Sequence, residues 1–175
     1  MRERVKWASL AAICALLVLS TFSSACARSL ITARIVDSES GLPIQEATLA
    51  YRWYKYKFSV PGLPTEDVTI EAGEEISDND GTVKIPKYSM LVNKLDMVAY
   101  KRGYVCWSSS RIFPSWEERK DFKLEDGTMI RVAPFKEEYS PKDHAWFIQS
   151  VSGGIPLGPS LGEALTKELQ LLHKK

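Results

Sequence analysis

The sequence predicts a mainly β protein, a β-sandwich of about seven antiparallel strands followed by two C-terminal helices. Two observations support this fold class. Short apolar runs with period-2 alternation occupy residues 30–132, and Gly, Pro, Asn and Asp form turns between them. After Pro134 the apolar residues change to helical spacing. A hydrophobic content of 45% in 175 residues is sufficient for a packed core, which argues against general disorder.

The N-terminal residues 1–27 have the composition of an export signal. Arg2, Arg4 and Lys6 are basic, and residues 7–19 are uncharged and mostly apolar. That apolar run is shorter than the ~20 residues that a helix needs to span a bilayer. Small residues follow it, as signal peptidases require. We therefore expect the chain to be exported, with a sandwich over residues 28–135 and a helical extension over residues 136–175.

Two cleavage sites compete at the end of this leader. Residues 25–27, Ala-Cys-Ala, form an A-x-A site, which would release a soluble protein beginning at Arg28. Residues 23–26 resemble a bacterial lipobox, although Ser23 replaces the usual Leu, and this would make Cys26 the lipid-modified first residue. We favour lipidation of Cys26, because small residues fit both sites whereas a cysteine at this place is otherwise uncommon. Several acyl chains on that residue would anchor the protein stably to a membrane.

The predicted strands follow from alternation and from the turns between them. Asp37 and Gly41 begin and end the first turn, and Pro43 fixes its exit. The Asp-Gly sequences within residues 78–81 and 125–127 each lie between extended runs, which is typical of hairpins. In chain order, the predicted strands are residues 30–37, 44–57, 68–71, 74–77, 82–85, 95–100, 104–107, 122–124 and 129–132.

Local signals also mark both predicted helices. Ser140 and Pro141 are an N-cap and a proline at the first helical position, and the helix should continue to about Val151. Residues 160–163, Ser-Leu-Gly-Glu, form a capping box for the second helix. Its apolar stripe consists of Leu161, Ala164, Leu165, Leu169 and Leu172. We expect both helices to pack against the sandwich.

Three motifs occur in a characteristic order in this region. The first is Asp-x-x-x-Gly-x-Pro-Ile-x-x-Ala, formed by Asp37, Gly41, Pro43, Ile44 and Ala47. The second is Asp-x-x-Gly-x-apolar-x-apolar-Pro at residues 78–86, and the third is an extended run that ends in Gly103-Tyr104. Together they resemble the carboxypeptidase regulatory-like domain, a transthyretin/prealbumin-like, Ig-like sandwich. The resemblance covers about half of the chain, does not reach the helices, and implies a non-catalytic module.

The residues themselves also argue against an enzyme. The sequence has no G-x-S-x-G, phosphate-binding or dinucleotide-binding motif. Its two histidines, His144 and His173, have no zinc-ligand spacing, and the chain ends in His-Lys-Lys, without the C-terminal tetrapeptide of the related hydroxyisourate hydrolases. We therefore expect no catalytic residues, no metal site and no cofactor. A net charge of +1 without a basic cluster gives no support for nucleic-acid binding.

Two further groups of residues have a structural and a functional interpretation. Cys106, the only thiol of the mature chain, is expected to be a buried apolar residue rather than a nucleophile. Asp78 and Asp80, with Glu75 nearby, could be calcium ligands, but their spacing does not fit an EF-hand and the turn accounts for both aspartates.

The aromatic residues of the second strand suggest a ligand surface. Tyr54, Tyr56 and the loop residue Trp116 could stack on sugar rings if they lie together on an exposed face. The alternative, which we favour, places Tyr51 and Trp53 in the core and Tyr54 and Tyr56 beneath the helices.

These observations lead to two functional hypotheses. The first is a non-catalytic envelope protein that acts as structural support or binds another envelope protein. The second is a module that binds a carbohydrate or a small ligand. We expect the protein at the periplasmic face of a bacterial outer membrane, because Ala27 is not the acidic residue typical of inner-membrane retention, or free in the periplasm.

Overall fold

The structure is a computed structural model, and it describes residues 29–57, 66–91, 93–156 and 158–172, with only the backbone of residues 171–172. The predicted leader, including Cys26, and residues 58–65 lie outside the described residues. The lipidation of Cys26 therefore stays a prediction. Among the described residues, no helix combines the length and the apolar character that crossing a membrane requires.

The described residues form seven strands and two helices, as the sequence predicts. The strands are β1 (Leu30–Asp37), β2 (Thr48–Tyr56), β3 (Asp67–Ile76), β4 (Thr82–Pro86), β5 (Lys94–Tyr100), β6 (Trp107–Ser108) and β7 (Thr128–Val132). The helices are α1 (Pro141–Ser152) and α2 (Pro159–Leu172).

The strands form two sheets, in the arrangement of a β-sandwich. One sheet has three strands in the order β4-β1-β7, and the other has four in the order β3-β2-β5-β6. One pair departs from the expected antiparallel arrangement, because β1 and β7 are parallel, with Ala33 opposite Thr128 and Asp37 opposite Val132. Parallel neighbours need a long connection, and here the other five strands supply it.

The core between the two sheets contains the large apolar residues of their facing surfaces. Tyr51 and Trp53 belong to it, with 5% and 0% of their surface exposed, so the prediction that both are core residues is confirmed. The buried residues of this core also include Ile35, Leu49, Ile85, Met97, Ile130 and Val132. Alternation along β1 and β2 therefore places one set of side chains inside the sandwich, as period-2 patterning requires.

A second apolar cluster lies between the outer face of the four-stranded sheet and the helices. Ala50, Val98 and Tyr100 contribute from the sheet, and Phe147, Ile148, Leu161 and Leu165 contribute from the helices. The expected packing of both helices against the sandwich is therefore confirmed. The sheet is covered on both faces, so β2 and β5 are buried almost without interruption over residues 48–51 and 97–100.

The turn at residues 78–81 carries the chain from one sheet to the other. β3 pairs with β2 and β4 pairs with β1, so the predicted hairpin between β3 and β4 is wrong. Asp78 still shapes the turn, because its Oδ1 accepts the N–H of Asp80 at 3.0 Å and that of Thr82 at 2.8 Å. The Asp-Gly sequence fixes the reversal but not the partner of the following strand.

Several of the predicted strands differ from those of the structure in their bounds or are absent from it. Residues 68–71 and 74–77 belong to one strand, β3, whose interior Gly73 lies opposite Tyr51 and leaves space for its hydroxyl. Residues 104–107 retain only a bridge at Tyr104 before β6. Residues 122–124 form no strand, so no hairpin surrounds residues 125–127; Phe122 and Leu124 instead pack against the core as an irregular segment.

Helix α1 follows its predicted signals, but α2 does not use its predicted cap. Ser140 is the N-cap of α1, and its Oγ accepts the N–H of Asp143 at 3.2 Å. In α2, the N–H groups of Ser160 and Leu161 both donate to the carboxylate of Glu74 on β3, each at 3.1 Å. A carboxylate from a distant strand thus occupies the place of the predicted capping box.

Replacing Glu74 by alanine is expected to destabilise the protein by about 1–2 kcal/mol, because two N–H groups of α2 would lose a charged acceptor. Equilibrium unfolding in urea would measure the change. Glu75→Ala is the matched control, because Glu75 lies on the opposite face of the same strand, across from Leu49. Equal effects of the two substitutions would contradict the capping role of Glu74.

Candidate functional site

The candidate site is a cleft of about 540 Å³ where the end of β5, the start of α1 and the second half of α2 meet. Its volume lies within the range of ~300–1,000 Å³ typical of small-molecule sites. The residues that line it are Tyr100, Arg102, Gly103, Tyr104, Phe135, Ser140, Pro141, Lys142, His144 and Glu168. Most of the lining surface is apolar, although five of the ten lining residues, besides the two tyrosines, carry polar or charged groups.

Backbone pairing outside the sheets fixes one wall of the cleft. The N–H of Phe135 donates to the carbonyl of Gly103 at 2.9 Å, and the N–H of Val105 donates to that of Ala133 at 2.8 Å. Gly103 has a φ of 88°, a left-handed conformation that glycine adopts without steric cost. The chain therefore turns back immediately after β5 and places Arg102 and Tyr104 at the cleft.

Helix α1 places His144 at the inner end of the cleft. The residue is 4% exposed, and its Nε2 accepts the backbone N–H of Cys106 at 2.8 Å. Because an imidazole nitrogen that accepts a hydrogen bond is unprotonated, the proton of the neutral ring lies on Nδ1. This Nδ1–H has no hydrogen-bond partner among the described residues, and it is the donor that His144 can offer to a ligand in the cleft.

Aromatic neighbours keep this histidine neutral. The ring centroid of His144 lies 5.1 Å from that of Phe113, 5.0 Å from that of Phe135 and 6.1 Å from that of Tyr100. Burial among these rings disfavours the charged imidazolium and lowers the pKa of His144 to about 4. The side chain is therefore an uncharged donor at neutral pH.

The opposite wall carries a short hydrogen bond between Tyr100 and α2. The hydroxyl of Tyr100 donates to Oε1 of Glu168 at 2.6 Å. Burial, together with the Glu168 carboxylate, raises the pKa of Tyr100, so the phenol stays protonated. This bond joins the end of β5 to the second half of α2 and holds the cleft at its present width.

Two cations at the rim face this single carboxylate. Arg102 and Lys142 are both exposed, and neither has an ion pair or a side-chain hydrogen bond among the described residues. Lys142 belongs to the first turn of α1, where the helix dipole also favours negative charge. The cleft thus presents an apolar interior, an uncharged donor and a positive rim.

The lowered pKa of His144 gives a testable pH dependence. In the unfolded chain the pKa of His144 is the ordinary 6.5, whereas in the folded protein its pKa is about 4. The contribution of His144 to the free energy of unfolding is therefore fully present above pH 6.5. It is lost as the pH falls toward 4, by about 3 kcal/mol in total. In His144→Gln, where an amide oxygen can still accept the Cys106 N–H, urea titrations should show a smaller loss over this interval. An unchanged pH slope in that variant would contradict the assignment.

The three residues predicted to form a ligand surface do not all contact one another. Tyr54 and Tyr56 lie together at the end of β2, with ring centroids 5.7 Å apart, and Arg52 lies over the Tyr54 ring at 4.3 Å. Trp116 instead packs against Phe147 of α1 at 5.1 Å. Tyr56 is 55% exposed, so the helices do not cover it. A sugar-binding role for Tyr54, Tyr56 and Trp116 stays a prediction.

The remaining candidates from the sequence have structural roles in the fold. Cys106 is buried, and burial raises the pKa of its thiol, as predicted for an apolar core residue. The carboxylate of Asp78 is occupied by the turn described above. Among the described residues, no three His, Cys, Asp or Glu side chains converge in a way that could hold a metal ion.

The residues of the cleft were not predicted from the sequence. Tyr100, Arg102 and Phe135 lie in segments where the alternation of apolar residues predicts only strand ends and loops. His144 was considered only as a zinc ligand. The available signal was the placement of Ser140 and Pro141, which begin a helix with a lysine and a histidine in its first turns. That signal does not reveal which segments lie opposite the helix.

Comparisons with known proteins identify no relative of this chain. No family model matches it, and no curated protein matches it by sequence. Among solved structures, 3-chlorocatechol 1,2-dioxygenase from Rhodococcus opacus 1CP has a TM-score of 0.36 and 15% identity, over 61% of this chain and 60% of the dioxygenase chain. A 9R-lipoxygenase from Cyanothece PCC8801 has a TM-score of 0.31 and 12% identity, over 71% of this chain and 22% of the lipoxygenase. Both scores are too low to support an argument about fold or function.

Proposed function

We propose that this protein is an exported, non-catalytic binding protein, and that the cleft beside His144 accepts a small molecule. One observation carries the proposal: a buried, neutral histidine offers an unpaired N–H in a cleft with aromatic walls. A few polar groups that converge within an apolar cleft are typical of ligand sites. Of the two hypotheses drawn from the sequence, this geometry favours the ligand-binding module.

The same geometry supports binding rather than catalysis. The basic nitrogen of His144 is occupied by the Cys106 N–H, so the ring lacks the free lone pair of a general base. Glu168 already accepts the Tyr100 hydroxyl. The Cys106 thiol is buried, and its raised pKa disfavours the nucleophilic thiolate. The groups able to perform acid–base or nucleophilic chemistry are thus committed to structural bonds or kept uncharged.

We further propose that the sandwich is of the transthyretin-like, carboxypeptidase regulatory-like type. Support comes from the glycine that each of the three sequence motifs contains. Gly41, Gly81 and Gly103 all have a positive φ, of 71°, 71° and 88°. Each motif therefore includes a turn that requires glycine, which is a physical reason for the pattern.

We also propose that the protein is exported, that Cys26 is lipidated, and that the protein is anchored at the periplasmic face of an outer membrane. Intact mass spectrometry of the protein from bacterial membranes is the direct test. We expect a mass that begins at Cys26 and includes acyl chains. A mass that begins at Arg28 without lipid would instead establish a soluble exported protein.

Binding to another envelope protein is the second candidate function, and a specific surface favours it. Trp146 on α1 is 59% exposed, and Trp116, which packs against the same helix, is 41% exposed. Large exposed aromatic residues are enriched at protein interfaces. Trp146 follows His144 by two residues in α1 and therefore lies on a different side of the helix, so both functions are compatible with one structure.

An NMR screen with isotope-labelled protein would test these alternatives together. For small-molecule mixtures we expect shifts of the amides of Arg102, Gly103 and His144. Shifts at Tyr54 and Tyr56 with oligosaccharides would instead support glycan binding. Shifts confined to Trp116 and Trp146 with envelope extract would support the protein interface. The amides of β4, in the other sheet, serve as the unperturbed reference.

A further inference from the structure

We infer that the cleft selects an organic anion, a carboxylate or a phosphate ester carried on an apolar, ring-sized body. This inference rests on the proposed binding function and names its ligand class. Three features of the cleft favour such a ligand: the charges at the rim, the helix terminus beside them, and the donor of His144.

The rim of the cleft has an excess of positive charge. Arg102 and Lys142 have no counter-ion among the described residues, whereas Glu168 is the single carboxylate in the lining. Glu168 accepts a hydrogen bond from Tyr100 at 2.6 Å, which satisfies part of its acceptor capacity. A ligand anion would find two unpaired cations and one partly occupied carboxylate, a balance that favours negative charge.

The N-terminus of α1 adds to this preference. Pro141 has no N–H, and the N–H of Asp143 is occupied by Ser140. The N–H of Lys142 is the group of the first turn that remains for a ligand among these residues. With the positive end of a helix dipole of 12 residues behind it, this N–H favours an anionic oxygen.

His144 supplies the independent observation that a ligand belongs in this cleft. The side chain is 96% buried, since 4% of it is exposed, and it donates its Nδ1–H to no described residue. A donor without a protein partner in the lining of a cleft can be completed by a ligand oxygen or by water. An N–H donor stabilises an oxygen acceptor, and the neutral ring can donate this bond without placing a charge in the aromatic surroundings.

The apolar walls of the cleft determine the size and the apolar character of the ligand's body. Tyr104, Phe135 and Pro141 are apolar surfaces on either side of the charged rim. A volume of about 540 Å³ admits one or two fused rings with their substituents. The ligand that satisfies both regions has its anionic group at the rim and its apolar body against these side chains.

Probes with the same ring system and different charges would test this inference by NMR titration of the full mature chain. The probes are 1-naphthoate, 1-naphthyl phosphate, the neutral 1-naphthamide and the cationic 1-naphthylmethylammonium. We expect at least one anion to bind tenfold or more tightly than the amide, with shifts at the cleft amides. The tighter of the two anions identifies the preferred group. Binding of the anion should weaken with added salt, because the rim is exposed to solvent.

Variants at the rim provide the second measurement, since both cations are exposed and their replacement leaves the core intact. Arg102→Gln and Lys142→Gln should each weaken binding of the anion about fivefold or more and change binding of the amide by a smaller factor. Lys84→Gln is the matched control, because Lys84 is an exposed lysine on β4 in the other sheet. An equal effect of Lys84→Gln would overturn the inference.

The outcomes separate the ligand class from the binding function itself. If the amide or the ammonium probe shifts the cleft amides as strongly as the anions do, the cleft is a binding site and the anion preference is overturned. If none of the four probes shifts the cleft amides, both the anion preference and the proposed binding function are overturned.

Discussion

Truncation of Trp53 to alanine should lower the free energy of unfolding by about 3–5 kcal/mol, the usual cost of removing a large aromatic side chain from a core. Trp53 is 0% exposed and lies between the two sheets, with its ring 5.4 Å from that of Tyr88. The surrounding strands are paired on both sides of β2 and cannot collapse into the cavity. Chemical denaturation, monitored by tryptophan fluorescence and circular dichroism, would measure the loss.

Two controls make this result specific. Trp146→Ala removes an equally large side chain that is 59% exposed, and it should change stability by less than about 0.5 kcal/mol. Trp53→Phe should cost less than Trp53→Ala, because it keeps a ring in the core and removes the buried Nε1–H, which has no hydrogen-bond partner among the described residues. Similar losses for Trp53→Ala and Trp146→Ala would contradict the position of Trp53 in the core.

Replacement of Gly81 by alanine should be the second large effect, with a loss of about 2–4 kcal/mol. Gly81 has a φ of 71°, and an added Cβ would overlap the carbonyl oxygen of Ile35 in β1. The Ile35 oxygen is a backbone atom, and Gly81 is held beside it because the N–H of Ile35 donates to the carbonyl of Gly81 at 2.8 Å. The clash can therefore be relieved only if the turn separates from β1.

Gly41→Ala is the matched control for this substitution. Gly41 has the same φ of 71°, but no atom lies within 4 Å of an added Cβ. It should therefore show only the conformational cost of the left-handed region, about 1–2 kcal/mol. The difference between the two variants, from urea denaturation at one pH, isolates the steric contribution at Gly81. Equal losses would show that the turn at residues 78–81 does not press against β1.

Local patterns predicted the elements of this fold better than their connections. Alternation identified β1 and β2 because one face of each strand is buried, and Ser140 with Pro141 marked the start of α1 because capping depends on adjacent residues. The two predicted hairpins were wrong because β4 joins the sheet opposite to that of β3 and because residues 122–124 form no strand. An Asp-Gly turn reverses the chain locally, but long-range packing decides whether the next strand joins the same sheet or the opposite one.

The cap of α2 and the binding cleft are long-range features of the same kind. Glu74 reaches the N-terminus of α2 from β3, and no spacing within residues 158–163 contains that information. In the cleft, Tyr100 meets Glu168, which follows it by 68 residues in the chain. The chemistry of each residue can be recognised in the sequence, whereas the juxtaposition of the residues requires the tertiary structure.

The parallel pairing of β1 with β7 determines the order in which this chain can fold. β1 is the central strand of its sheet, between β4 and β7, so this sheet is incomplete until residues 128–132 have been synthesised. The pairing of β2 with β3 and β5 requires only residues up to 100. We therefore expect β2, β3 and β5 to pair first and the sheet around β1 to be completed last. High contact order of this kind makes folding slow, so the newly made chain remains without its complete core until the last strand arrives.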